Sequence, residues 1–320
     1  MGLRACAVLI GLTALTGCDL PQDGAAPVEA PAAMPASSLP PQRPSKTATP
    51  QSAESLAVAD YYARIQARLL GQGLMRTDYA PVDAPFGRRQ LVEDFLRVAL
   101  WDEYDTAGPT IVARQRASRL RRWAAPVRMS VEFGSSVPLV RQATDRAEIA
   151  AYARRLAQAS GHPVSMADVR SANFNILVLN ENERRAIGPR LQKLVPGIEP
   201  QAIRGITDLP TTTFCVVFAF SEGTSSIYTH AVAVIRGEHP EALSRLCIHE
   251  ELSQGLGLAN DSPQARPSIF NDDEEFALLT RHDELLLKML YDPRLRPGMT
   301  EAEARPIVET IAAELLGPDS

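Results

Sequence analysis

The sequence predicts an α+β fold in which a small helical region leads into alternating strands and helices. Before residue 125 apolar residues recur at helical spacing, whereas from Pro126 onward two-residue alternation and helical spacing take turns. A content of 45% hydrophobic residues with a net charge of −5 is that of an ordinary folded body without bias towards polyanions, so nucleic acid is not an expected partner.

The first 52 residues are expected to address and tether this body. Arg4 precedes an apolar run over 5–15, the length of a signal-peptide core and short of the ~20 residues that a membrane-spanning helix needs. Leu15-Thr16-Gly17-Cys18 follows and resembles the bacterial lipobox, which implies a signal peptide over 1–17 and lipidation of Cys18. Each buried acyl CH₂ would contribute about 0.8 kcal/mol, so two or more chains make a stable anchor. An ordinary secretory signal cut before a cysteine is the alternative. The expected location is periplasmic, lipid-anchored to the cell membrane; Asp19 favours the inner membrane in some Gram-negative lineages. Residues 18–52, with prolines at 21, 27, 31, 35, 40, 41, 44 and 50, cannot bury enough apolar surface to fold. Extended as polyproline II at ~3.1 Å per residue, they form a tether on the order of 100 Å long.

The folded elements follow in order. Residues 53–125 read as a helical lead-in: Val58, Tyr61, Tyr62, Ile65 and Leu69 share one stripe, Leu91, Val92, Phe95, Leu96 and Ala99 another, and Gly71 and Gly73 end the first helix. Arg114, Arg116, Arg119, Arg121 and Arg122 read as a solvated helix face, with contact to anionic headgroups as the alternative. The second region, 126–320, opens with a half-buried strand over 127–133. A helix over 145–160 closed by Gly161 follows, then strands over 173–179, 214–220 and 227–235, then a central helix after Pro240. Thr280 with Asp283, and Thr300 with Glu303, mark two further helix starts. Of the four cysteines, only Cys215 and Cys247 belong to this body, and an oxidising compartment favours a disulfide between them; two buried thiols are the alternative.

The central helix carries His249-Glu250-Glu251-Leu252-Ser253-Gln254-Gly255-Leu256-Gly257-Leu258-Ala259-Asn260-Asp261. This run resembles the H-E-x-x-H-x-x-G-x-x-H helix of the metzincin zinc proteases, in which residues four apart grip one metal and the Glu activates water. Aligned on Gly257, Glu250, Gln254 and Asn260 stand at the three ligand positions, and Glu251 at the catalytic Glu position. Ser268-Ile269-Phe270 resembles the Ser-Ile-Met turn of matrix-metalloprotease-like proteins, and 279–291 their C-terminal helix. The stretch 81–316, with S-I-F-N-D and R-P-G-M, resembles a bacterial envelope family known as a domain of unknown function.

The resemblance implies a twisted mixed sheet with the central motif helix and a C-terminal helix, around a cleft holding Glu250, Glu251, Gln254 and Asn260. One carboxylate and two amides replace three imidazoles, so zinc affinity is expected to collapse and no cofactor is expected. An oxygen-ligated cation such as calcium stays open, with Asp261, Asp272 and Asp273 as further donors if the following loop folds back. His230, His249 and His282 read as structural. The expectation is a non-catalytic protein that binds a protein, peptide or cell-wall ligand. The alternative is an atypical metal-dependent hydrolase using Glu251 as general base.

Overall fold

The computed structural model describes residues 49–105 and 112–317. The segments expected to be a signal peptide and a tether, with Cys18, lie outside the described residues except for the last few before Ala53.

Helix α1 (Ala53–Gly71) starts at Ser52, whose hydroxyl accepts the Ser55 N–H at 3.1 Å, and it buries Val58, Tyr62 and Leu69 along one side. Helix α2 (Arg88–Ala99) buries Leu91, Val92, Phe95 and Leu96. The helical region does not run on to residue 125 as expected. Strand β1 (Trp101–Asp105) pairs antiparallel with β2 (Val112–Ala117), and the short β3 (Arg122–Trp123) follows. Extended backbone sends neighbouring side chains to opposite sides, and arginines expected on a solvated face here hold separate partners. Arg121 ion-pairs with Asp102, Arg119 donates to the Gly298 carbonyl at 2.9 Å, and Arg122 donates to the carbonyls of Asp292 and Leu295 at 3.2 and 2.7 Å.

The remaining chain builds one mainly parallel sheet with helices on both faces. Strand β4 (Val127–Phe133) leads into α3 (Leu139–Ser160), β5 (Val164–Met166) and β6 (Phe174–Leu179). Three short helices follow, α4 (Glu181–Arg185), α5 (Gly188–Leu194) and α6 (Pro200–Thr207), before β7 (Cys215–Ser221) and β8 (Ile227–Arg236). The chain ends with α7 (Glu241–Gln254), α8 (Arg281–Leu290) and α9 (Glu301–Leu316). Strands β5, β4, β6 and β8 lie in that order and run parallel; β3 runs parallel to the first residues of β8, and β7 antiparallel to β8.

Side-chain alternation assigns the faces. In β8, Ala231, Ala233 and Ile235 join the core under α3 and α7, while Val232 and Val234 join a second core with Leu191, Leu194 and Ile206 of α5 and α6. Strand β6 is buried along its whole length, which is why its sequence F-N-I-L-V-L reads as an almost unbroken apolar run. Residues of α1 and α2 share the first core, and the described residues make one compact unit.

Candidate functional site

Helix α7 supplies the floor of a groove, and its placement follows from its sequence. Pro240 ahead of it offers no capping side chain, and Gln66 of α1 accepts the Leu243 N–H at 3.1 Å instead. Leu243, Ile248 and Leu252 are fully buried, fixing the helix's rotation. Two glycines let the chain leave it. A Cβ on Gly255 would sit 2.4 Å from the Phe174 ring. One on Gly257, at φ +126°, would sit 2.3 Å from the Arg121 carbonyl oxygen, so the glycine of the motif is required by close approach and backbone conformation together. The freed carbonyls of Gly255 and Leu256 accept from the Trp123 indole at 2.8 Å and the Tyr291 hydroxyl at 2.9 Å.

With that rotation Glu250, Glu251 and Gln254 line a groove of about 380 Å³ between α7 and β7, whose other lining residues include Cys215, Val217, Ala219, Asp261, Asp272 and Glu274. Glu251 is buried at 4% exposure, whereas Glu250 is half-buried. Asn260, expected in the cleft, is packed behind it. Fully buried, it donates its amide to the Arg97 and Asp261 carbonyls at 3.0 and 2.8 Å and ties the post-helix turn to α2. The next residue takes the inward place: Asp261 accepts the Gln254 amide at 3.1 Å. The loop beyond it does fold back, bringing Asp272 to the groove, while Asp273 accepts the Glu275 N–H at 2.8 Å.

Below the groove runs the turn 268–270. Asp283, buried in the first turn of α8, accepts from the Ser268 hydroxyl at 2.5 Å, the Ile269 N–H at 3.2 Å and the Thr280 N–H at 2.9 Å. Ile269 thereby reaches the groove and Phe270 fills the core beneath it.

The wall opposite α7 is clamped where β7 begins. A disulfide joins Cys215 to Cys247 with Cα atoms 5.8 Å apart, stapling the start of β7 to α7. Arg236, wholly buried, ion-pairs with Glu181 at 2.6 Å and donates to the carbonyls of Leu209, Pro210 and Thr213, and Tyr62 donates to the Thr211 carbonyl. These bonds satisfy the loop entering β7.

Among the described residues no imidazole lines the groove. His249 turns away: its Nδ1 accepts the Leu279 N–H at 3.0 Å, its Nε2 lies 3.2 Å from Glu148, and its ring stacks on Tyr152. Burial lowers its pKa and favours the neutral ring. His230 sits on β8 beside Thr229. His282 is buried between Asp94 Oδ2 at 3.1 Å and Asp283 Oδ1 at 3.7 Å. The sulfur of Cys215 and one carboxylate oxygen each of Glu250 and Glu251 lie within 4.8 Å of one another. As that sulfur is bridged to Cys247, it offers no thiolate, and two carboxylates with an amide make a poor zinc donor set.

Fold and groove define an α+β protein with a cleft between its motif helix and the antiparallel edge of its sheet. The chain belongs to the family described as protein of unknown function DUF2927, whose model matches residues 88–310. No curated protein and no solved structure matches the chain.

Proposed function

We propose that this chain is a lipid-anchored envelope protein whose metzincin-like groove binds an extended peptide and performs no zinc catalysis. The observation that carries the reading is the groove-facing side of α7, where Glu250, Glu251 and Gln254 stand and His249 does not, set beside the edge strand β7. Among the described residues strand β7 pairs only with β8, and Val217 and Ala219 line the groove. An extended segment can add there as a further strand, main-chain bonds giving affinity and alternate side chains giving selectivity. The lipobox ending at Cys18 and the proline-rich tether motivate the location: they would hold the groove at a distance from a membrane surface.

A second reading is supported by one observation. Glu251 is a buried carboxylate in the groove beside Glu250, the surroundings in which a general base of a metal-dependent hydrolase would stand. Incubating the full chain with a peptide mixture, with and without added zinc, and identifying products by mass spectrometry separates the two. Intact peptides are expected under both conditions. Zinc-dependent cleavage that disappears in Glu251→Gln would replace the binding reading by the hydrolase.

A further inference from the structure

A cluster of buried charge lies behind the groove floor. The side chain of His282, in the first turn of α8, is wholly buried between two buried carboxylates: Asp94 of α2, with Oδ2 3.1 Å from Nε2, and Asp283, with Oδ1 3.7 Å from Nδ1. The Phe86 ring meets the imidazole edge-to-face at 4.8 Å. Cations on the elements around the cluster are engaged elsewhere or exposed. Arg155 of α3 pairs with Glu284 at 2.8 Å, Arg305 of α9 with Glu93 at 2.6 Å, Arg97 of α2 lies over the Trp101 ring at 4.0 Å, and Arg281 and Lys288 of α8 itself are exposed. The imidazole is therefore the group whose charge can offset Asp94 and Asp283 away from water.

Asp283 joins this cluster to the groove. Its Oδ1, the oxygen nearest the His282 ring, also accepts the Ser268 hydroxyl, and its Oδ2 accepts the Ile269 N–H. The Ser268 oxygen accepts the Phe270 N–H at 3.0 Å, so three consecutive residues of the turn hang on one carboxylate, and Ile269 among them lines the groove. We propose that His282 is a proton switch beneath the groove: the charged ring clamps Asp94, Asp283 and the turn 268–270 together, and the neutral ring lets the turn loosen. Without the ring's proton two buried carboxylates face each other across a neutral group, which favours their separation or hydration. Asp283 carries that displacement into the floor. Burial opposes the charged ring, but the two carboxylates outweigh it and raise its pKa above 6.5. The clamp is thus complete below 6.5 and is lost as pH rises through the folded-state value. The switch acts on the floor itself, whatever occupies the groove.

The test follows the full chain by nuclear magnetic resonance from about pH 5.5 to 8.5, reading the His282 ring carbon and the Ile269 and Phe270 amides in the same samples. The ring and both amides are expected to titrate with one midpoint above 6.5, and the protection of the two amides from hydrogen exchange, corrected for the intrinsic effect of pH, to fall about tenfold across it. Asp94→Asn, a change on α2 away from the groove, should lower the midpoints of ring and amides together, by about one unit or more. His282→Gln should leave the amides without a step; if that variant does not fold, Asp94→Asn carries the comparison alone. Amides that stay flat while the ring titrates would overturn the switch. So would an amide step that stays in place when Asp94→Asn moves the ring, because another group near the groove would then be its source. A ring that is neutral over the whole range would overturn it as well.

Discussion

At the scale of single residues, the site is held by side chains that never reach it. Asp283 gathers the turn 268–270 and the start of α8, and Asn260 pins the chain behind α7, yet neither lines the groove. His282 shows how such a residue responds to pH. Burial opposes its positive charge, but the neighbouring carboxylates of Asp283 and Asp94 outweigh that, and its pKa is raised above the ordinary 6.5. A raised folded-state pKa stabilises the fold fully below the unfolded-state value, and this contribution is lost as pH rises through the folded-state value. His282→Gln should therefore lower the melting temperature most at pH values below 6.5, with the gap to the parent narrowing as pH climbs past it. A gap that widened with rising pH would contradict a charged His282. The sequence, which reads His282 as structural, is silent on its charge, because that depends on Asp94 from a distant helix.

At the scale of elements, the disulfide and the edge strand decide whether a groove exists. A bridge closing 32 residues contributes about 4 kcal/mol through loop entropy. It also holds the first residue of β7 against α7. Cys215→Ala with Cys247→Ala is expected to lower unfolding stability by about 2–5 kcal/mol in denaturant titration, and to loosen β7 ahead of β4 and β6 in hydrogen exchange; unchanged stability would remove the staple from this account. The elements that were legible from sequence are those with a full period to read. Strands β4, β6, β7 and β8 alternate or run apolar, and α8 and α9 carry start signals that the structure uses, with capping boxes at Thr280 and Thr300. Helix α3 begins at Leu139 rather than near 145, because exposed Leu139 and Val140 blur its stripe. Helices α4, α5 and α6 span 5, 7 and 8 residues, too few for a periodic signal. The arginines around β2 and β3 resembled a solvated face because their partners, such as the carbonyls of Asp292, Leu295 and Gly298, come from the far end of the chain.

At the scale of the whole molecule, three of the four motif positions fall where the frame predicts. Glu250, Glu251 and Gln254 face one groove, because helical spacing alone sets them on one side of α7. Asn260 lies past the glycine turn, where spacing no longer dictates direction, and Asp261 faces the groove instead. The rim acids Asp272 and Glu274 and the β7 wall come together only through the fold. No described helix is long and apolar enough to cross a membrane, and under the proposed reading a lipid on Cys18 would carry attachment. The central claim is that the groove accepts an extended chain along β7 without a metal. Amide hydrogen exchange of the full chain, measured in chelator with and without a capped peptide of alternating valine and threonine, tests it most directly. The account predicts that the peptide slows exchange at β7 (Cys215–Ser221) by about tenfold or more, with little change on the face covered by α5 and α6. Protection that bypasses β7, or that appears only when a metal is supplied, would contradict it.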